Sequence, residues 1–316
     1  MPGKLAIYIE YSKPRVWWLL VFIGFGGAIL AVNKFSLDNI LLIVAAVISV
    51  TLGSMGAEGL TNYIDLDMDS KMERTKKRPL PSGAITKKQA LIFGYSLAIL
   101  SVVILLAIRR LIAALFMSLG IFDNVFIYSY MLKKVSPYSI IYGGFSGAFP
   151  VLIGWYTVTS VFSWLPWVLF LLVMFWIPVH VWSLAYRYRD DYKKANVPMF
   201  PVVHSDRATA IAISLSSLFL IVFSLTPYFL GLYNLIYLIP VAILSVPIVV
   251  FSYRFIKNPG RKTSFSLFVY TAPYLTFVFI LVIALNLLRV FNIFQCSSPE
   301  CTSKKLIINE LLNIKV

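Results

Sequence analysis

The chain has 316 residues, of which 59% are hydrophobic and only 13% are charged. An average soluble domain carries about 25% charged residues, so this composition excludes a soluble globular protein. The 28 Lys and Arg residues outnumber the 13 Asp and Glu residues and give a net charge of +15. Such an excess predicts anionic partners, either phosphate-bearing ligands or anionic lipid, and we expect no nucleic acid among them.

Apolar runs follow one another along almost the whole chain. A membrane span needs roughly 17–25 apolar residues, and runs of this kind predict about nine transmembrane helices. They lie at 16–32, 39–60, 89–108, 111–130, 139–159, 164–186, 208–230, 234–253 and 265–288. Nothing of domain size remains between them, so residues 1–316 are predicted to form one all-α integral membrane domain, with a short tail at 289–316 outside the core.

The basic residues lie mostly on one side of the predicted bundle. If the N-terminus is cytoplasmic, about three quarters of the Lys and Arg residues fall in cytoplasmic segments, as the positive-inside rule requires. The sequence thus predicts a multi-pass protein of the cell membrane with its C-terminus on the opposite side. There Cys296 and Cys301 could form a disulfide or remain two free thiols. The segment after them is either a helix on the membrane surface or a packed terminal helix.

More than half of the acidic residues are concentrated in two predicted cytoplasmic segments. They are Asp65, Asp67, Asp69 and Glu73 after the second span, and Asp190, Asp191 and Asp206 after the sixth. In TNYIDLDMD, the spacing of Thr61, Asp65 and Asp69 puts three oxygen-bearing side chains on one face of a helix. Carboxylates without nearby Cys or His favour Mg²⁺ or Mn²⁺, and Mg²⁺ in particular is usually bound by one or two carboxylates plus substrate phosphate. The alternative is a solvated acidic helix end that the neighbouring basic loop balances.

Basic residues accompany both acidic segments. The loop KMERTKKRPLPSG contains Arg74 and Arg78, and Arg forms bidentate contacts with phosphate. Lys193 follows the second pair of acids, and YSYMLKK adds Tyr128 and Lys133 after the fourth span. We expect the two acidic clusters to close around one metal-bound diphosphate, with the mouth of the active site facing the cytoplasm.

The stretch NYIDLDMDSKMERTKKRPLPSG resembles the first aspartate motif of the UbiA-type intramembrane prenyltransferases, specifically the heme O synthase branch that farnesylates protoheme IX. Three further stretches match that branch in order. They are YSYMLKK, GGFSGAFPVLIGW at 143–155 and WIPVHVWSLAYRYRDDYKKANVPMFPVV at 176–203. The superfamily has Asn at the position of Thr61, which Asn62 follows here, so either residue could line the site. Its second motif has two Asp four residues apart, whereas Asp190 and Asp191 are adjacent and one of them could face away.

The resemblance implies a helical bundle around a central cavity and a Mg²⁺-dependent reaction. A farnesyl group, or a longer isoprenyl group, would pass from its diphosphate to a vinyl group of protoheme IX, with water added, to give heme O for terminal oxidases. Terminal-oxidase assembly proteins are then expected partners. One alternative is the same chemistry on a quinone precursor or a glycerol phosphate lipid. Another is a transporter or heme-delivery protein.

Ionisation of an allylic diphosphate requires cations around the leaving group. The expected Mg²⁺ ligands are Asp65, Asp69, Asp190 and Asp191. The expected diphosphate contacts are Thr61 or Asn62, Arg74, Arg78, Lys133 and Lys193. Tyr128 would donate a hydrogen bond to the diphosphate or face the carbocation. We therefore predict that Asp65, Asp69, Tyr128, Lys133 and Asp191 form the catalytic set.

Three residues of the sixth span are candidates for contact with heme. An ionisable side chain inside a membrane is a functional candidate, and imidazole binds iron, so His180 could touch heme or transfer a proton; the alternative is a hydrogen-bonded packing residue. Trp176 and Trp182 flank it and could contact the macrocycle. His204 is either a solvated loop residue or a further heme ligand. The glycines of GGFSGAFP predict close helix approach or room for the macrocycle.

Overall fold

The computed structural model describes residues 3–295, and in this range the chain forms helices and no strand. The helices are α1 Lys4–Tyr11, α2 Pro14–Leu30, α3 Leu37–Ile64, α4 Leu66–Lys71, α5 Lys87–Ala107, α6 Leu111–Phe122, a π-helix Asp123–Leu132, α7 Ser139–Tyr142, α8 Gly144–Val158, α9 Trp164–Arg187, α10 Arg189–Lys194, α11 Phe200–Val203, α12 Asp206–Phe229, α13 Leu235–Lys257 and α14 Arg261–Gln295. The predicted all-α fold is confirmed.

Each predicted span has a helix at its position, but the number of full-length spans is smaller than nine. Among the described residues, seven helices are long and apolar enough to cross a membrane, and the bent pair of α1 and α2 would make eight. Helices α2 and α8 have 17 and 15 residues, fewer than the ~20 that the hydrocarbon core requires. The chain is a multi-pass membrane protein, and nine is an approximate count.

The connections between helices alternate between two ends of the bundle. The residues after α3, the π-helix and α9 lie at one end, which holds both acidic clusters. At the other end a cavity of about 500 Å³ is lined by residues from the α2–α3, α8–α9 and α12–α13 connections and from the last turns of α14. A smaller cavity of about 30 Å³ lies inside the bundle between α2, α3, α6, the π-helix and α8.

Glycines let α2 and α8 cross with their backbones in contact. A Cβ atom at Gly27 would collide with the backbone of Val151, and one at Gly154 with the backbone of Gly24. The crossing therefore excludes any larger residue at these two positions, since backbone atoms cannot move aside as a side chain can. It fixes α8 against α2 and α3 in the centre of the bundle.

The predicted close approaches in GGFSGAFP are found at two of the three glycines. A Cβ at Gly143 would lie 2.7 Å from ring carbons of Tyr128, and one at Gly147 would lie 2.7 Å from Ile177. At Gly144 the nearest atom would be 3.7 Å away, an ordinary contact. The glycine run therefore serves helix packing at its first and last positions.

The end of α14 differs from the predicted boundary. The helix continues to Gln295, and Val290 is buried, so the tail expected from 289 begins within the last turns of α14. The predictions for Cys296, Cys301 and the segment after them concern positions outside the described residues.

Candidate active site

The first acidic cluster lies where α3 ends and α4 begins. The backbone of Asp65 interrupts the helix at φ −83° and ψ 0°, yet helical hydrogen bonds continue across it. The Asp65 amide donates to the Thr61 carbonyl at 2.9 Å, and the Asp69 amide donates to the Asp65 carbonyl at 2.8 Å. Thr61, Asp65 and Asp69 therefore share one face despite the change of helix.

Asp65 forms a buried ion pair with Lys133, which follows the π-helix. Asp65 is 1% exposed and Lys133 8%. Burial acts to lower the pKa of Lys133, but the charge and hydrogen bond of Asp65 outweigh it and raise that pKa above its ordinary value. The other carboxylate oxygen of Asp65, Oδ1, is buried and has no hydrogen-bond partner within residues 3–295.

Asp69 repeats this arrangement with a different cation. Its Oδ2 accepts a hydrogen bond from Arg78 Nη1 at 2.8 Å, while its Oδ1 is buried and unpartnered in the described part of the chain. The Thr75 hydroxyl donates to the Asp69 carbonyl at 2.9 Å and holds the basic loop beside the carboxylates. Each acid thus has one oxygen in an ion pair and one buried oxygen without a partner among the described residues.

The two candidates at the start of the motif face different neighbours. The Thr61 hydroxyl donates to the Ala57 carbonyl at 2.6 Å, and Thr61 lies one turn before Asp65 on the same face. The Asn62 amide donates to the Tyr11 carbonyl at 2.6 Å, so this side chain points towards the end of α1. Its Oδ1 is buried without a partner among the described residues.

The second acidic cluster separates its two adjacent aspartates. Asp190 is exposed and forms an ion pair with Arg261. Asp191 is half-buried and has no ion pair within residues 3–295. Lys193, one turn on, is exposed. Asp190 therefore faces the start of α14, whereas the Asp191 carboxylate is the one left for another ligand.

The two clusters are neighbours, but their acids do not converge on one point. The Arg74 guanidinium lies 5.8 Å from the ring centroid of Tyr188, which links the basic loop to the end of α9. In the described range, no three His, Cys, Asp or Glu side chains lie close enough together to hold a metal ion. A site here would therefore use few carboxylates and would need oxygen atoms from the substrate.

The π-helix brings Tyr128 to the same site. The Lys133 amide donates to the Tyr128 carbonyl at 2.8 Å, a bond between residues five apart, and Lys133 Nζ lies 5.2 Å from the centroid of the Tyr128 ring. Wide turns of this kind are rare and occur often at functional sites. An aromatic ring, a lysine and a carboxylate are thus held in one group.

The heme candidates are divided between two places. The His180 ring stacks on Trp176 at 4.5 Å and packs at a tilt against Phe268 at 4.3 Å, and its Nδ1 lies 2.9 Å from the Thr271 hydroxyl. These contacts place His180 and Trp176 at the interface of α9 and α14. Trp182 stacks instead on Phe200 at 4.8 Å, and its buried Nε1 has no partner in the described range.

Phe200 in turn stacks on His204 at 4.0 Å. Trp182, Phe200 and His204 therefore form a ladder of parallel rings at the end that holds the acids, whereas His180 lies one helix face away. The residues predicted to contact heme do not surround one space in this structure.

Two further ionisable residues lie at the site and were not predicted there. Glu58, on α3, forms a 2.9 Å ion pair with Lys13, and both side chains are largely buried. Glu58 precedes Asp65 by seven residues, and this heptad spacing on a helix could have indicated that the two acids share a face. Nothing in the sequence indicated that Lys13 is its partner, because the two residues meet only through tertiary packing.

These features define a class: an all-helical membrane protein with buried carboxylates and cations at one end of its bundle. The UbiA prenyltransferase family matches residues 19–283, which is most of the chain, and the chain belongs to this family. It is 64% identical over 290 residues to the protoheme IX farnesyltransferase 1 of Picrophilus torridus, an alignment that covers 92% of this chain and 97% of that protein.

Solved structures share the fold at low sequence identity. A digeranylgeranylglyceryl phosphate synthase superposes with a TM-score of 0.74 at 20% identity. The superposition covers 89% of this chain and 98% of the synthase chain. A UbiA homologue from Archaeoglobus fulgidus bound to GPP and Mg²⁺ superposes with a TM-score of 0.56 at 14% identity, covering 87% of this chain and 99% of its own. Identities this low support the fold alone.

Proposed function

We propose that this chain transfers a farnesyl group from farnesyl diphosphate to a vinyl group of protoheme IX and thereby makes heme O. The observation that carries the proposal is the 64% identity to the Picrophilus protoheme IX farnesyltransferase over nearly the full length of both proteins. The acidic and basic residues at one end of the bundle supply the chemistry that this reaction requires. Longer isoprenyl diphosphates remain alternative donors, to be compared directly.

Asp65 and Asp69 fit the role of Mg²⁺ ligands. Each has one buried carboxylate oxygen without a partner in the described range, and Mg²⁺ is usually bound by one or two carboxylates together with substrate phosphate. Asp191 would contribute from the second cluster. Asp190, exposed and paired with Arg261, is the weaker ligand. Bound Mg²⁺ supplies positive charge that stabilises the departing diphosphate.

The cations beside the carboxylates would bind the diphosphate. Arg78 and Lys133 already neutralise one oxygen each of Asp69 and Asp65, so they lie where a bridging anion would bind. Arg74, in the loop after α4, and Lys193, on α10, would close over it. Thr61 shares the face of Asp65 and lines the site, whereas Asn62 supports it from the side of α1.

Tyr128 would act on the farnesyl group itself. The bond from the first farnesyl carbon to diphosphate breaks with its electron pair on oxygen, and the vinyl electrons form the new carbon–carbon bond. The cation left on the former vinyl group takes the oxygen of water and releases a proton. An aromatic face stabilises a nearby cation by about 0.5–2 kcal/mol, and the Tyr128 ring beside Lys133 lies next to where the bond breaks.

Trp182 is the proposed contact for the flat acceptor, because it heads the ladder of rings at the acidic end. His180 and Trp176 pack against α14 on another face of α9, so their contact with the acceptor stays a prediction. The positive-inside distribution supports an N-terminus and an active-site mouth in the cytoplasm, a C-terminus on the other side and residence in the cell membrane. Heme O made here would pass to terminal oxidases and their assembly proteins.

The proposal is tested by incubating the purified protein with protoheme, Mg²⁺ and isoprenyl diphosphates of several lengths, followed by mass spectrometry of the extracted heme. We expect a farnesylated, hydrated heme. Unmodified heme, together with prenylation of a quinone precursor or a glycerol phosphate in parallel incubations, would overturn the assignment of the acceptor.

The metal assignment has its own test. Asp65→Ala and Asp69→Ala should each abolish Mg²⁺-dependent transfer and leave membrane insertion intact. Asp67→Ala is the matched control, because Asp67 lies between the two acids but is exposed and pairs with Lys71. Full activity in the Asp65 or Asp69 variant would exclude that residue as a metal ligand.

A further inference from the structure

Residues 11–13 connect α1 to α2, and this segment packs in a strained conformation against the end of α3. Lys13 has φ 55° and ψ 67°, in the left-handed region that residues other than glycine seldom adopt. Such a conformation persists only where surrounding contacts impose it, and it is frequent at functional sites. Tyr11 and Ser12 before it are fully buried. The segment is therefore held in place by the residues around it.

Three polar contacts join it to the last two turns of α3. The Tyr11 hydroxyl donates to the Gly59 carbonyl at 2.5 Å, and the Tyr11 carbonyl accepts from the Asn62 amide at 2.6 Å. Lys13 Nζ donates to Glu58 at 2.9 Å. These bonds hold α3 at positions between three and seven residues before Asp65.

The end of α3 needs such support for an electrostatic reason. A helix has its negative end at the C-terminus, where carboxylates are unfavourable. Asp65 and Asp69 nevertheless follow that end directly, and the last turn of α3 contains no basic residue. Helix α3 is also 28 residues long. Its last turns extend beyond the start of α2, and Lys13 meets Glu58 at the level where they begin.

Helix α1 anchors the segment from the other side. It is bent by 74° from α2, and its Ile7 and Tyr8 pack on a small core that includes Tyr11 and Leu80. Leu80 belongs to the loop that carries Arg78, so the same segment contacts both sides of the first acidic cluster. The N-terminal part of the chain thus connects the carboxylates to the cation that neutralises them.

We propose that Tyr11 and Lys13 are positioning residues, which set the rotation and height of α3 so that the free oxygens of Asp65 and Asp69 can bind a divalent cation together. They do not contact the substrate. The inference rests on the proposed function only for its activity readout, because cation binding is measured without the heme acceptor.

The test compares two substitutions that each remove one tyrosine hydroxyl from a buried hydrogen bond to a backbone carbonyl. Tyr11→Phe removes the bond to Gly59, and Tyr237→Phe removes an equivalent 2.6 Å bond to Ser224 between α12 and α13, away from the site. Mn²⁺ binding is followed by electron paramagnetic resonance in the presence of a non-reactive farnesyl thiodiphosphate. Thermal unfolding and the KM for protoheme are measured alongside.

We expect both variants to lose a similar amount of thermal stability. Only Tyr11→Phe should weaken Mn²⁺ binding, by about 3–10-fold, which corresponds to the loss of one hydrogen bond. The Mg²⁺ concentration for half-maximal transfer should rise in parallel, with the KM for protoheme unchanged. Wild-type Mn²⁺ affinity in Tyr11→Phe, or an equal loss in Tyr237→Phe, would overturn the proposal.

A second pair of variants tests the ion pair. Lys13→Met should weaken Mn²⁺ binding as Tyr11→Phe does, and Lys13→Arg, which keeps the charge opposite Glu58, should restore it. Unchanged binding in Lys13→Met would remove Lys13 from the proposal. If wild-type protein binds Mn²⁺ but does not prenylate heme, the proposed function fails while the positioning role still stands.

Discussion

Asp65 and Lys133 are almost inaccessible to water and yet form an ion pair with each other. Removing two charges from water is costly, and a buried pair recovers that cost only while both partners are present. The Oδ1 atom of Asp65 is also buried and has no hydrogen-bond partner in the described range. Such an arrangement is unfavourable for stability alone, and the proposed Mg²⁺ would complete it.

Replacing Lys133 by Met should therefore harm both stability and catalysis. A buried Asp65 left without its cation would destabilise the protein by about 3–5 kcal/mol, and loss of a charge aimed at the leaving group would lower the transfer rate by about 10²–10³-fold. Lys134→Met is the control, because Lys134 is adjacent but exposed. Rate and thermal unfolding are measured in detergent at saturating Mg²⁺. Equal effects of the two substitutions would contradict the role of Lys133.

The adjacent aspartates of the second cluster should respond differently to the same change. Asp190 is exposed, and the hydrogen bond from Arg261 lowers its pKa. The two residues form a surface ion pair, and such pairs contribute little to stability. Asp191 is half-buried and unpaired in the described range. We expect Asp190→Asn to change the transfer rate only a few-fold and Asp191→Asn to reduce it by about 10²-fold. The opposite order would reverse their assignment.

At the scale of single elements, the π-helix decides whether Tyr128 and Lys133 act together. In an α-helix, five residues at about 100° each would put the two side chains on different sides. The hydrogen bond from the Lys133 amide to the Tyr128 carbonyl closes a wider turn instead, and the lysine then lies over the tyrosine ring. The sequence predicts an ordinary span over 111–130, because no residue pattern in it distinguishes this wider turn.

Gly143 keeps the ring of Tyr128 in place, and substitution there should displace it. A Cβ at Gly143 would lie 2.7 Å from the Tyr128 ring, whereas one at Gly120 would lie 3.5 Å from Phe149, an ordinary contact. Overpacking of this kind costs about 1–3 kcal/mol. Gly143→Ala should therefore lower the transfer rate at least tenfold, while Gly120→Ala should not. Normal activity in Gly143→Ala would show that the ring position is unimportant.

Patterns along the chain indicate some of these elements and leave others unmarked. Apolar length predicted the position of every spanning helix, and the spacing of Thr61, Asp65 and Asp69 predicted their common face. The backbone crossing at Gly27 and Gly154 and the pairing of Lys13 with Glu58 depend on how distant helices pack. Such contacts leave no periodic signal within either partner, so a single sequence cannot indicate them.

At the scale of the whole molecule, the excess of positive charge has two separable uses. Arg78 and Lys133 neutralise carboxylates inside the site, while Lys77 and Lys88 are exposed at the same end of the bundle. Anionic lipid attracts exposed basic residues near a membrane surface. The end that binds the diphosphate would then also be the end that determines orientation.

Orientation is tested by labelling from one side of the membrane. After Cys296→Ser and Cys301→Ser remove the native thiols, single cysteines are introduced as Lys34→Cys and Lys88→Cys, two exposed positions at opposite ends of the bundle. Since most basic residues accompany Lys88, the positive-inside rule places it in the cytoplasm. A membrane-impermeant maleimide should label Lys34→Cys in intact cells and Lys88→Cys only in inside-out vesicles. Labelling of Lys88→Cys in intact cells would invert the orientation and place the diphosphate site on the outer face.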